Sequence, residues 1–286
     1  MKLTETKKGK KKLTHYEFAS LAELADHIED LPIDYDRASM EKPDSKWAGC
    51  DFPTAISKAQ TGDPLLAEKL AHKVDAVESL LDSEGVEIIR DVIGDFFDIG
   101  TVLSGEPECW WREELSPQKD TIRIECAFSL SASISEDMLM NRGGAVVALC
   151  DSLADAGYGV DLRMVAGIEY SGNYFMVDVG VSCKPLDIDS VAFCLAHPAT
   201  LRRLVFGLME THYNKINCGD GYGKPCDYYN ADGKRDKEGI HFVSNTNKAF
   251  NKYNFRDVEE AEKHVVRMIE KYNELTKNNE PLFLEG

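Results

Sequence analysis

The stretch from Thr121 to Leu186 constrains the fold of this chain more than any other. TIRIECAFSL alternates apolar and polar residues and then becomes continuously apolar, as a strand covered on both faces does. RGGAVVALCDSLADAG follows with Ala145, Val146, Leu149 and Leu153 on one helical stripe, and Gly157 stands where the helix must stop. VDLRMVAGIEY reads as a second strand, and YFMVDVGVSCKPL, after the turn SGN, as a third. DIDSVAFCLAHPATLRRLVFGLMETHY then supplies one or two helices interrupted at Pro198. Strand, helix, strand, strand, helix predicts an α/β fold, a central sheet with flanking helices.

The flanks are read from caps and stripes. HYEFASLAELADHIEDL, residues 15 to 31, places Phe18, Leu21, Leu24, Ala25 and Ile28 at helical spacing with Ser20 able to cap. A polar link through PDSK leads to WAGCDFPTAISKAQTGDPLLAEKLAHKVDAVESLL, a short turn and two helices. Gly62 closes the first, and Asp63 caps the second with Pro64 at its first position. Residues 1–82 are therefore expected to form an N-terminal helical module with a basic tail. Residues 83–286 are expected to form the α/β domain, entered through a packed loop with short elements. That domain carries a long surface loop at 214–239 and ends in an amphipathic helix over FRDVEEAEKHVVRMIEKYNEL.

Charge and cysteine usage narrow the class. The chain has 286 residues, enough core to need no disulfide or metal, with 33 basic against 50 acidic residues for a net charge of −17. Such a balance repels a phosphate backbone unless the positive charges are gathered. KKGKKK, residues 7 to 12, gathers them. It reads as a solvated tail or as a docking arm for nucleic acid or a partner, and no apolar core of a secretion signal follows it. No apolar run approaches the roughly 20 residues of a membrane span, so a soluble protein without a membrane role is expected. Of the eight cysteines, 126, 150, 183 and 194 lie inside apolar runs, the usage of a reducing cytoplasm.

Residues with binding chemistry fall in three places. SLSASIS, residues 129 to 135, spaces Ser129, Ser131 and Ser133 at alternate positions in the loop after the first strand of the central run. Arg142, in the RGG that opens the following helix, stands where free backbone N–H groups bind anions. The loop at 214–239 offers Tyr222, Tyr228 and Tyr229, with lysines nearby, as a surface for single-stranded nucleic acid, since aromatic faces stack bases while cations hold phosphates. Five acidic residues dilute its positive field, and a solvated or protein-contact loop is the preferred reading. Cys218, Cys226, His212 and His241 form a weak Cys₂His₂ zinc set, because the gap between the cysteines is wider than a C-x₂₋₄-C knuckle. No G-x-S-x-G elbow, no H-E-x-x-H and no nucleotide-binding glycine motif is present, and His197 before Pro198 reads as structural. A non-enzymatic protein without a cofactor is expected.

The ordered pieces FASLAELADHI, WAGCDFPTAISKAQTGD, IECAFSLSASISEDMLMNRGGAVVALCDSLADAGYGVDLRMV and KPLDIDSVAFCLAHPATLRRLVFGLME resemble a family of uncharacterised bacteriophage proteins over most of residues 18–210. The recurrent parts are Trp47-x-Gly49 with Ala55 and Gly62, Arg142-Gly143, and Pro185-Leu186-Asp187 through Arg202-Arg203. The resemblance implies a setting, the infected bacterial cytoplasm or the virion, and no mechanism. The central region is also similar to a degenerate von Willebrand factor type A domain, whose metal loop has the pattern Asp-x-Ser-x-Ser. Here Ser129 replaces the aspartate, so the only charge that offsets dehydration of a Mg²⁺ ion is missing. Asp178, Asp187 and Asp189 stand about where such domains bring in another acid. The resemblance implies contact with another phage or host protein, through a fold that has dropped its metal. Single-stranded nucleic-acid association in replication or transcription, and a structural place in the virion, are the other expectations.

Overall fold

The computed structural model describes residues 1–8, 11–31, 45–78, 88–91, 96–97, 103–104, 110–113, 119–128, 135–155, 157–170, 173–182, 188–213, 239–242 and 255–276. The protein is a mixed α/β fold. A six-stranded sheet is built from β1 (Lys2–Lys8), β2 (Lys11–Phe18), β6 (Lys119–Ala127), β7 (Tyr158–Tyr170), β8 (Asn173–Val181) and β9 (Gly239–Phe242), in the order β1-β2-β8-β7-β6-β9. β6 lies parallel to both β7 and β9, β7 and β8 form an antiparallel hairpin, and β2 runs parallel to β8. Between residues 83 and 118, three short strands, β3 (Ile88–Asp91), β4 (Phe96–Phe97) and β5 (Trp110–Glu113), pair in a separate sheet.

The segment expected as a basic tail is a hairpin. β1 and β2 pair antiparallel from Lys2↔Glu17 to Lys8↔Lys11, and β2 docks on β8 from Leu13↔Tyr174 to Phe18↔Val179. Helix α1 (Leu21–Glu29) starts only after this strand, with the Ser20 side chain accepting from the Glu23 N–H at 3.1 Å. Phe18 is buried as expected, yet as the last strand residue rather than the first turn of a helix. Leu21, Leu24, Ala25 and Ile28 form the buried stripe. Helix α2 (Ser45–Ala48) is a single turn; α3 (Phe52–Thr61) ends at Gly62, whose φ of 83° is left-handed, and α4 (Pro64–Glu78) follows with Asp63 before it.

Helix α5 (Glu136–Asp155) crosses from β6 to β7. It starts six residues before Arg142, so RGG does not open it. Two acids in its first turn, Glu136 and Asp137, suit the positive end of the helix dipole and supply the start that the sequence reading assigned to RGG. Gly157, with a φ of 84°, follows its end as expected. After β8 come α6 (Ile188–Ala196), a π-helical turn (Thr200–Val205) and α7 (Phe206–Tyr213), and α8 (Val258–Thr276) is the last element among the described residues. The break falls at Pro198, where a backbone N–H is missing.

One buried cluster joins the helices to one face of the sheet. Ile122 and Ile124 of β6, Leu162 and Met164 of β7, Val177 and Val179 of β8, and Tyr16 and Phe18 of β2 face it together, because the register pairs them across neighbouring strands. Helices α1, α3, α4, α5, α6 and α8 contribute to the same cluster. Among the described residues, no single helix is long and apolar enough to cross a membrane. The apolar pair Ile188–Ala196 and Thr200–Thr211 is bent by 71° and belongs to the core.

Candidate functional site

The residues between the apolar ones project to the opposite face of the sheet, and there the charges of four strands meet. Arg123 and Glu125 come from β6, Arg163 from β7, Asp178 from β8, and His15 and Glu17 from β2. Register brings them together: Glu125 lies opposite Arg163, and Asp178 opposite Glu17. Arg163 Nε donates to Asp178 Oδ1 at 2.6 Å, and Arg123 Nη2 donates to Asp178 Oδ2 at 2.8 Å. Arg123 Nε donates to Glu125 Oε1 at 2.9 Å, so one guanidinium bridges two carboxylates. His15 lies between acids, its Nε2 3.8 Å from Asp178 and its Nδ1 3.6 Å from Glu17. Gly180 keeps the Arg163 side chain in place over β8, since a Cβ there would come within 2.9 Å of Arg163 Nη1 and 2.6 Å of the Ala19 carbonyl.

Asp178 and Glu125 are buried, whereas the Arg123 side chain is 31 % exposed and that of Glu17 30 %. Burial lowers the proton affinity of the Arg123 guanidinium, but Asp178, Glu125 and Asp161 together raise it above its usual value. The Lys2 ammonium, hydrogen-bonded to Glu17 at 2.8 Å, holds the Glu17 carboxyl below the ordinary range against its partial burial. Buried acids thus hold arginines in fixed poses at a partly exposed surface, a preorganised arrangement for polar contact.

Arg142 has a different role from the anion site expected of it. It is buried in the middle of α5, with Nη1 donating to the Ala127 carbonyl and Nη2 to the Leu195 carbonyl, both at 2.8 Å. Leu195 lies in the last turn of α6, where carbonyls lack helical partners and the dipole favours a cation. The guanidinium therefore fastens the carboxyl end of β6 to the end of α6. The glycines after it allow close packing: a Cβ at Gly143 would meet Leu70 Cδ1 at 3.0 Å, and one at Gly144 would meet the Lys73 backbone at 3.0 Å. Nearby Cys126 and Cys194 are raised in pKa by burial, against the pull of Arg142, and stay neutral thiols.

The other recurrent pieces join at the π-helical turn. Arg202 Nη1 donates to the Trp47 carbonyl and its guanidinium lies 5.3 Å from the Trp47 ring centroid, while Arg203 Nε donates to the Cys50 carbonyl at 2.9 Å. Gly49, at φ 85°, passes so close to the His197 ring that a Cβ would come within 2.8 Å of it. Burial brings His197 down to about 4, with Lys58 adding to the effect and Asp63 opposing it, and its Nδ1 accepts from the Ala199 N–H at 3.1 Å. The ring is thus held by Ala199 and lies against Gly49 and Phe193, at 4.8 Å from the Phe193 ring centroid.

Ser129, Ser131, Ser133, Tyr222, Tyr228, Tyr229, Cys218, Cys226 and Asp187 lie outside the described residues, as do the side chains of His212 and His241. Among the described residues, no group of three or more His, Cys, Asp or Glu is placed to hold a metal ion. Asp178, expected as a possible metal ligand, has both oxygens engaged by arginines, and Asp189 accepts the Asp63 N–H through its backbone carbonyl at 3.1 Å. The sequence reading did not single out Arg123, Glu125, Arg163 or His15. For Arg123, Glu125 and Arg163 the signal was the alternation in TIRIEC and DLRM, which sets each strand's polar side apart without showing which strands are neighbours; His15 lies in a strand with no such signal.

A family model described as a domain of unknown function (DUF7192) matches residues 4–276. The chain belongs to the DUF7192 family. The DUF7192 match begins within β1 and ends on the last residue of α8, so it takes in the hairpin, the charged sheet face and the node around the π-helical turn. No curated protein and no solved structure matches the chain.

Proposed function

We infer that this DUF7192 chain is a protein-interaction or assembly module, without catalytic activity, that presents the charged face of its sheet to another protein. The observation that carries this reading is the two-sidedness of the sheet. One face holds the helices, and the other holds Arg123 and Arg163 fixed by the buried acids Asp178 and Glu125. Charged groups fixed in this way favour specific contact, because little side-chain entropy remains to be lost on binding.

The finer reading is a bacteriophage protein, working in the infected cytoplasm or in the virion, with a von Willebrand A-like centre that has dropped its metal. Two features support the A-like part. The strand, helix and strand of β6, α5 and β7 form a parallel crossover, and β6 lies between β7 and β9, an order in which open α/β sheets bind ligands at the carboxyl end of the central strand. The ion pairs of Asp178 with two arginines argue against this acid serving a cation.

The experiment is affinity capture from infected bacterial cells, with cross-linking mass spectrometry of the captured complex and metal analysis of the purified protein. Cross-links to Lys2 or to acids of the charged face support the reading. Cross-links confined to the helix layer, for example to Lys58 or Lys69, refute it, as does failure to capture any partner. Stoichiometric Mg²⁺ or Mn²⁺ overturns the metal-free A-like centre, and stoichiometric zinc overturns the absence of a cofactor.

A further inference from the structure

We propose that the outer edge of β1 is the docking site for an acidic, extended segment of a partner protein, which joins the sheet as an added strand. The proposal rests on the interaction-module reading and gives that partner a chemistry and a place. β1 is the terminal strand of the sheet, paired on one side only among the described residues. Pairing with β2 uses the N–H and C=O groups of alternate β1 residues, so the remainder point away from the sheet. The edge is regular: seven residues without proline keep one unbroken register with β2. It is also uncovered, with Lys2, Leu3, Glu5, Thr6 and Lys7 all exposed.

Charge selects the occupant. Residues 1–18 hold six lysines against two glutamates, in a chain whose net charge is −17. Both glutamates face lysines of the hairpin itself: Glu17 meets Lys2 at 2.8 Å and Glu5 meets Lys12 at 2.5 Å. Lys7 lies next to Lys8, Lys10 and Lys11 in sequence, so the excess positive charge is at the turn end of the edge. An added strand places its side chains about 5 Å from those of β1, where acids gain opposite lysine and an apolar residue gains against the exposed Leu3.

A second copy of β1 is the poorer occupant. In-register antiparallel pairing of two copies sets Glu5 against Glu5 and Lys2 against Lys8, like charges directly opposed. A nucleic acid answers the lysines but leaves the row of backbone donors and acceptors unused. Lysine on an edge strand ordinarily keeps other strands off. On this hairpin the same lysines favour an acidic strand over a neutral or basic one.

The test uses the full-length protein and three fluorescein-labelled probes: a peptide of about seven residues alternating Glu and Val, its Lys and Val counterpart, and a single-stranded oligothymidylate. Anisotropy reads binding at low and moderate salt, and amide hydrogen exchange of the unmodified protein reads strand addition. The expected result is binding of the Glu peptide alone, weakened by salt, with slowed exchange of β1 amides. The double substitution Lys7→Glu/Lys8→Glu should weaken that binding at least about tenfold. No binding of the Glu peptide overturns the proposal, and so does binding that leaves β1 exchange unchanged. Tighter binding of the oligonucleotide, or self-association that itself protects the β1 amides, also overturns it. A captured partner that cross-links to the charged face while β1 stays unprotected defeats the edge proposal alone. Failure to capture any partner counts against the module reading and leaves the peptide result to stand or fall by itself.

Discussion

Replacing Arg142 by methionine tests whether this residue is a structural tie or an anion site. Methionine keeps most of the volume, so the change removes two hydrogen bonds without opening a large cavity. The carbonyls of Ala127 and Leu195 lose their 2.8 Å donors in a region closed to water, each at a cost of about 1–3 kcal/mol. Release of the buried guanidinium from its own desolvation returns part of this, so a net loss of about 3 kcal/mol is expected. That is a large share of the roughly 5–15 kcal/mol that holds a folded domain together. Arg142→Lys, which reaches one carbonyl at a time, should lose about half as much. Urea unfolding followed by circular dichroism measures both variants, and the thermal midpoint of wild type is read with and without millimolar phosphate. A methionine variant within about 0.5 kcal/mol of wild type refutes the tie, because surface changes of no structural consequence fall in that range. A saturable phosphate stabilisation that Arg142→Met abolishes refutes it independently, since it assigns the guanidinium to a ligand.

Three further outcomes follow from the geometry. Gly144→Ala brings a Cβ within about 3 Å of the Lys73 backbone between α4 and α5 and should cost roughly 1–3 kcal/mol by overpacking, read from the urea midpoint. His197 and His264 are both held near 4 in the fold, chiefly by burial and secondarily by the neighbouring cations Lys58 and Arg267. The unfolded chain therefore takes up protons first, so stability is full above about pH 6.5 and falls as pH drops toward 4, by at most about 1.4 kcal/mol per unit for each histidine and less for partly exposed rings. His197→Asn, whose side-chain oxygen can still accept from Ala199, should flatten the urea midpoint between pH 7 and 5, and an unchanged slope counts against the assignment. Asp178→Asn and Arg163→Met, alone and combined, should show a coupling of about 1–3 kcal/mol in a double-mutant cycle, whereas additivity removes the ion pair from the description of the charged face.

The secondary structure of the centre was legible because its signals are local. Caps at Ser20 and Asp63, stops at Gly62 and Gly157, the stripe Ala145-Val146-Leu149-Leu153 and the break at Pro198 all stand where the sequence places them. The N-terminal hairpin was not legible, since KLTETKK and KKLTHYEF carry too little apolar alternation to compete with the reading of lysines as solvated. KKLTHYEF is a strand through its pairing with β8, a partner more than 150 residues away, and KLTETKK through its pairing with KKLTHYEF. Arg142 was misread for a related reason: a buried arginine at the start of a glycine pair has the local appearance of an anion-binding turn.

The sequence by itself determined the class of fold, the order of its central elements and which side of each strand is apolar, because periodicity and capping act over a few residues. Only the tertiary structure decided which strands are neighbours, and so it alone made Arg123, Glu125, Arg163 and Asp178 one network. It also turned the lysine-rich start of the chain into a sheet edge and took Arg142 from the surface to the core. The physical reason is that an ion pair or a strand edge is defined by distance and dielectric between residues far apart in sequence, and the hydrophobic pattern of one strand does not record them.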